Sequence, residues 1–143
     1  MSNSAESAAL LLKLFELRRD PVMRVARDWF VRDFNPESYD DVIAALGGEH
    51  NAHFRMVAGY WDMACSFVTH GAIDWQMFID ASPEAIPAFA KVEPYLAELR
   101  SRVGPDYFGR HWETVMVRIP GGAELFRHFR EALLAASRSS GPA

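Results

Sequence analysis

Apolar side chains recur along this chain every three to four residues, the spacing that places them on one face of an α-helix. The first such segment covers residues 5–18, and its leucines repeat at helical spacing at Leu10, Leu14 and Leu17. Asn3 and Glu6, three positions apart, form the pair of residues that caps the beginning of a helix. Over no stretch of five residues do β-branched and polar residues alternate, so the pattern predicts an all-α protein.

Proline and glycine punctuate the pattern and predict where further helices begin and end. Asp20-Pro21 and Asn35-Pro36 each combine an N-cap residue with proline at the first helical position, where the missing N–H has no cost. Gly47-Gly48 ends the third helix, and Gly71 followed by Asp74 separates the fourth helix from the fifth. Every connection between these segments is short, which predicts helices packed against their neighbours in one bundle.

The predicted fourth helix, roughly 49–70, is the longest and the most apolar. Its apolar and aromatic side chains cover more than half of its circumference, so it must be packed on several sides. We therefore expect this helix to lie at the centre of the fold. These side chains are Phe54, Met56, Val57, Tyr60, Trp61, Met63, Ala64, Cys65, Phe67 and Val68.

The C-terminal half contains two proline-interrupted segments and a last amphipathic helix. Pro87 and Pro94 predict a helix that is kinked or split before Tyr95. A further helix carries Phe108, Trp112, Val115 and Ile119, and the last one follows Pro120-Gly121-Gly122. The sequence thus predicts one domain over residues 1–143, an irregular bundle of about seven to eight helices, with residues 137–143 as a disordered tail.

Composition and charge narrow the class of function. The chain has 143 residues and a formal net charge of −4, which gives no reason to expect nucleic acid as a partner. Cys65 is the only cysteine, so no intrachain disulfide can form and a reducing cytosol is expected. No segment offers the roughly 20 apolar residues of a membrane span, so no membrane partner is expected.

His50 and His53 form the most suggestive cluster of chemically active side chains. Two imidazoles three positions apart at a helix start lie close enough to share a ligand, which makes them weak candidates for metal binding. Their spacing differs from the i, i+4 histidine pair of zinc peptidases, and no cysteine pair can complete a zinc site. The favoured interpretation is that both histidines serve packing or capping, with no metal and no cofactor.

A polar stripe along the same helix is a second candidate. Arg55 and Asp62 lie on one side of the predicted helix and could pair across Gly59. If another helix covers the stripe, this pair becomes a buried site for a small anion or amide; if the stripe faces water, it is an ordinary solvated face. The solvated interpretation is favoured. The candidate ligand pocket beside this helix comprises His53, Arg55, Tyr60, Trp61 and Asp62.

Several short motifs of the middle of the chain resemble a family of small all-helical bacterial proteins known as a domain of unknown function. These motifs are Tyr60-Trp61-Asp62, Gly71-Ala72-Ile73-Asp74, Pro94-Tyr95-Leu96 with Arg100, and Tyr107-Phe108. The resemblance covers roughly residues 54–113 and implies a helical fold and a bacterial origin. It implies no catalytic or binding residue.

The sequence contains no phosphate-binding glycine loop, no nucleophile elbow and no dinucleotide-binding fingerprint after a strand, which argues against an enzyme without excluding one. Its aromatic content of 13% exceeds the evident needs of one bundle. We therefore expect a non-catalytic cytosolic interaction module that forms a homodimer or contacts another protein. The alternative is a ligand-binding or enzymatic helical protein that binds a small molecule or metal beside the helix over 49–70.

Overall fold

The computed structural model describes residues 3–104 and 107–139. These residues contain nine α-helices and one 3-10 turn, joined by short loops. The 3-10 turn, Glu93–Tyr95, joins the sixth helix to the seventh. The helices are α1 (Ser4–Arg18), α2 (Pro21–Arg32), α3 (Tyr39–Gly47), α4 (Asn51–Thr69), α5 (Trp75–Ala81), α6 (Ala85–Val92), α7 (Leu96–Val103), α8 (Arg110–Met116) and α9 (Gly122–Ser139).

This architecture confirms the predicted all-α class. The described residues contain no strand, and if α6, the turn and α7 are counted as one kinked segment, they contain eight helices. The helix starts predicted at Asp20 and Asp74 are correct because their caps are local, whereas the start predicted at Asn35-Pro36 is wrong: α3 begins at Tyr39, and Ser38 caps it by accepting a hydrogen bond from the Asp41 backbone nitrogen. Asp20 Oδ1 accepts a hydrogen bond from the Val22 backbone nitrogen at 3.0 Å, and Asp74 Oδ2 accepts one from that of Met77 at 2.9 Å.

The proline-rich segment breaks at one proline and continues through the other. Pro94 lies in the 3-10 turn between α6 and α7, whereas Pro87 is the third residue of α6. The first N–H groups of a helix have no acceptor within it, so a proline in the first turn loses no hydrogen bond. The split therefore occurs at Pro94 alone.

The last two helices differ in length from their predicted extents. Helix α8 is shorter than predicted, since Phe108 precedes it and Ile119 follows it. Helix α9 is longer: residues 137–139, predicted as part of a disordered tail, are helical. There Arg138 forms an ion pair of 2.8 Å with Glu37. Residues 140–143 of the predicted tail lie outside the described residues.

Helix α4 lies at the centre of the fold, as its wide apolar face predicts. It packs most extensively against α8 and α2, and it also contacts α3. The Trp61 side chain is 1% exposed, and Phe54 and Cys65 are fully buried. The Phe54 ring lies 5.4 Å from the Phe34 ring and 5.8 Å from the Phe108 ring, so one aromatic cluster joins α4 to the segments after α2 and before α8.

Helix α1 packs against the rest of the molecule through a narrow stripe. Only four of its side chains are buried, at positions Ser7, Leu11, Leu14 and Arg18. The Tyr60 hydroxyl donates a hydrogen bond of 2.7 Å to the Leu14 carbonyl oxygen. Leu10 and Leu17, which share the predicted helical periodicity, are 38% and 47% exposed. Helix α1 therefore has exposed as well as buried apolar side chains.

No helix in the described ranges has both the length and the apolar character that crossing a bilayer requires.

Candidate functional site

The residues of the predicted pocket are distributed around α4 rather than gathered at one cavity. Tyr60 and Trp61 are buried in the core, and Tyr60 is engaged by Leu14. The Trp61 Nε1 atom is buried and has no hydrogen-bond partner among the described residues. His53 lies at the N-terminal end of the helix beside Trp29, with 6.0 Å between the ring centroids. Tyr60 and Trp61 thus lie in the core, whereas His53 lies at one end of the helix.

Arg55 and Asp62, predicted as a possible pair, bind different partners. The exposed Arg55 donates from Nε to the Asn51 side chain at 2.9 Å, one turn earlier on α4. Asp62 is partly buried and its carboxylate faces α8. The polar stripe is thus exposed to water at Arg55 and Gly59 and covered by α8 at Asp62. The predicted solvated face describes the first part of the stripe, and the predicted burial under another helix describes the second.

Asp62 caps α8 from a different helix. Its Oδ1 atom accepts hydrogen bonds from the backbone nitrogens of His111 at 2.9 Å and Trp112 at 3.0 Å. The N-cap residue of α8 is Gly109, whose φ of 66° suits glycine and which has no side chain to cap the helix. A carboxylate at a helix N-terminus also interacts favourably with the helix dipole. The function of Asp62 in this structure is therefore to attach α8 to α4.

His50 and His53 lie side by side at the start of α4. Their Nδ1 atoms are 3.3 Å apart, and the His50 ring stacks on Trp29 with 4.8 Å between centroids and an interplanar angle of 19°. The His50 side chain is 40% exposed. Within the described ranges, no group of three or more His, Cys, Asp and Glu residues could hold a metal ion. The pair is thus a packed but accessible imidazole cluster.

Lys91 is a buried cation that the sequence analysis did not single out. It is 4% exposed, and its Nζ atom donates to three carbonyl oxygens at the end of α2: Phe30 at 2.6 Å, Phe34 at 2.7 Å and Val31 at 2.8 Å. Burial lowers the pKa of Lys91 to about 8, and the nearby Asp33 acts in the opposite direction. Its position inside an apolar run, Ala88 to Val92, is the feature of the sequence that indicated its burial.

Two buried groups of α4 are held in their protonated forms. Burial raises the pKa of the Cys65 thiol, and the Asp62 carboxylate raises it further. Burial also raises the pKa of Tyr60 to about 12. The thiolate is the nucleophilic form of cysteine, so Cys65 is unreactive where it lies.

A broad depression of about 650 Å³ lies on the surface of α2 beside the start of α6. Its charged groups are largely paired with each other: Arg27 binds Glu84 through two hydrogen bonds of 2.7 and 2.8 Å, and Arg32 binds Asp28 at 3.0 Å. It therefore presents no concentrated charge to an ionic ligand. Its lining residues are Pro21, Arg24, Val25, Arg27, Asp28, Val31, Arg32 and Glu84.

Exposed apolar side chains are concentrated on the first two helices. Of the eleven large apolar side chains that are exposed among the described residues, seven belong to α1 and α2. Leu12 is 67% exposed, Val22 59%, Val25 57% and Phe15 50%. These seven side chains do not form one patch, because on α1 Leu12 and Phe15 lie on one side of the buried stripe and Leu10 and Leu17 on the other; the three on α2 are Val22, Val25 and Val31.

Comparison with known proteins identifies the family but no activity. The model of a family described as a domain of unknown function, DUF4760, matches residues 3–118 of the chain. This match confirms the family resemblance predicted from the sequence and extends it to α1 and α2. No curated protein and no solved structure matches the chain.

Proposed function

Because the chain belongs to the DUF4760 family, whose function is unknown, we propose from its surface that it is a non-catalytic interaction module that forms a homodimer through α1. The observation that carries the proposal is that Leu12 and Phe15, on one side of α1, are 67% and 50% exposed. Contiguous exposed apolar surface on a protein typically marks a contact site. The proposal also places the protein in a bacterial cytosol, on the grounds of the family resemblance and the single cysteine.

The exposed side of α1 has the spacing of a helix-pairing stripe. Ala5, Ala8, Leu12 and Phe15 follow one another at intervals of three, four and three residues, and all four are exposed. Apolar residues at alternating intervals of three and four form the contact line between two paired helices. This stripe is distinct from the buried stripe, which starts at Ser7. A helix that is apolar on two sides is expected to be covered on both.

The order of small and large residues in this stripe favours a second copy in antiparallel orientation. If two α1 helices cross a two-fold axis at the level of residue 10, Ala5 faces Phe15 of the other copy and Ala8 faces Leu12. Each small side chain then meets a large one, which lets the helices approach closely. Across a two-fold axis each copy contributes the same residues to the interface, so one stripe on each chain is enough to form a dimer.

The exposed charges of α1 are compatible with this arrangement, because they include both signs. Glu6 and Glu16 are acidic, Lys13 and Arg19 are basic, and all four are exposed. A surface with both signs of charge can face its own copy without net repulsion, unlike a surface of one sign.

The molar mass in solution tests the proposal. A pairing of single helices is smaller than the roughly 800 Å² per partner of a standard interface, so we expect a dissociation constant on the order of micromolar. Light scattering between about 1 and 200 µM should show a mass that rises from the 16.1 kDa of one chain towards twice that value.

Two matched substitutions, each introducing one negative charge, test where the contact lies. Leu12→Glu places a charge in the stripe and should leave the chain monomeric at every concentration. Val117→Glu introduces the same charge at an exposed valine away from α1, 62% accessible and at the end of α8, and should dimerise like the wild type. A wild-type chain that is monomeric throughout, or a Leu12→Glu variant that dimerises normally, would refute the proposal.

A further inference from the structure

The imidazoles of His50 and His53 are separated by a distance that also occurs in metal centres. Their Nδ1 atoms lie 3.3 Å apart. Two imidazole nitrogens on one tetrahedral zinc ion, each at about 2.0–2.1 Å and separated by the tetrahedral angle, are about 3.3–3.4 Å from each other. A hydrogen bond between the two rings would give the same distance. Binding of a metal ion distinguishes the two explanations.

The surroundings orient the rings before any ligand is bound. Trp29, itself buried, stacks on the His50 ring and fixes its plane. The Glu49 carboxylate lies 3.6 Å from His50 Nε2, on the side of the ring that faces away from His53. The two Nδ1 atoms, 3.3 Å apart, thus face each other at the start of α4.

We propose that His50 and His53 together bind one divalent transition-metal ion through their Nδ1 atoms. The described residues supply no third side chain to the site. Water must therefore complete the coordination, and the site would exchange its metal readily. Two imidazoles and water bind first-row ions in the Irving–Williams order, so copper(II) should bind more tightly than nickel(II) or zinc(II).

Calorimetric titration of the full chain with copper(II) and zinc(II) salts tests this site. The wild type should bind one ion per chain. His50→Gln and His53→Gln, which each remove one ligand but keep a polar side chain, should each weaken binding at least about tenfold. Circular dichroism should show that both variants keep the helical content of the wild type.

The second histidine pair of the fold supplies the matched control. His70 and His111 have ring centroids 5.7 Å apart, and His111 Nδ1 is engaged by the Thr69 hydroxyl at 2.7 Å. His70→Gln, which removes one ring of this second pair, should bind copper(II) as the wild type does. Binding unaffected by both His50→Gln and His53→Gln, or no saturation below about 1 mM, would overturn the proposal and leave the hydrogen bond as the explanation of the distance.

Discussion

The Asp62 carboxylate lies 3.0 Å from the backbone nitrogen of Trp112, fifty positions along the chain, and accepts its hydrogen. The same oxygen accepts from the nitrogen of His111. One side chain of α4 thus supplies the cap that Gly109 cannot provide for α8. Because Trp112 is fully buried, this attachment also helps to position a large part of the core.

Removing this cap should destabilise the protein measurably. We expect Asp62→Ala to lower the free energy of unfolding by about 1–2 kcal/mol, the usual effect of losing an N-cap. Asp62→Asn should cost less, because the amide oxygen still accepts hydrogen bonds. Urea denaturation provides the measurement. Arg55→Ala, on the exposed part of the same helix, is the control and should stay within about 0.5 kcal/mol of wild type. Equal stabilities for Asp62→Ala and wild type would show that the cap has no energetic role.

Lys91 is expected to stabilise the end of α2. Lys91→Met keeps most of the side-chain volume but leaves the carbonyl oxygens of Phe30, Val31 and Phe34 without their donor. Unsatisfied buried polar groups are costly, so we expect a loss of about 2 kcal/mol at neutral pH. The only other lysine, Lys13, has a side chain that is 72% exposed, and Lys13→Met is the matched control. Similar unfolding midpoints for the two variants would contradict this role.

The buried position of Lys91 also predicts a dependence of stability on pH. Its pKa falls from 10.5 in a model peptide to about 8 in the fold. Between these values the unfolded chain binds more protons than the folded one, so the free energy of unfolding should rise with pH. The wild type should therefore gain about 2 kcal/mol relative to Lys91→Met between pH 7.5 and 10. A difference between the two proteins that stays constant or shrinks as the pH rises would contradict this assignment.

The hydrogen bond from Tyr60 to Leu14 should govern the local stability of α1. Tyr60→Phe removes only the hydroxyl, at a cost of about 1 kcal/mol, and should speed amide hydrogen exchange in α1 more than in α4. Tyr39→Phe is the control, since the Tyr39 hydroxyl is 3.5 Å from its acceptor near the surface. Exchange in α1 that is unchanged by Tyr60→Phe would show that other contacts hold this helix.

The sequence predicted features that depend on neighbouring residues and missed those that join distant ones. The caps at Asp20 and Asp74 were predicted because each side chain binds a backbone group within three residues. The wide apolar face of α4 likewise predicted its central position. By contrast, Asp62 and Lys91 find their partners 49 to 61 positions away, and no pattern along the chain identifies such partners.

The predictions about the candidate site were also limited by contacts between residues that are distant in the sequence. Helical spacing correctly placed Arg55 and Asp62 on one helix, but α8 covers Asp62 and leaves Arg55 in water. Periodicity also could not distinguish the buried stripe of α1 from the exposed one, because both are apolar. Which stripe faces the core follows from tertiary contacts, such as the one between Tyr60 and Leu14.

Disulfide cross-linking tests the proposed α1 pairing most directly, since it reports the register as well as the contact. The native Cys65 is fully buried and should not interfere. In the antiparallel register, residue 5 of one copy faces residue 15 of the other, whereas two copies of residue 5 lie about 15 Å apart along the axis, beyond the reach of a disulfide. Mild oxidation should therefore yield a covalent dimer when Ala5→Cys protein is mixed with Phe15→Cys protein, and little when either is oxidised alone. Efficient cross-linking of Ala5→Cys alone, or none in the mixture, would contradict the antiparallel α1 dimer.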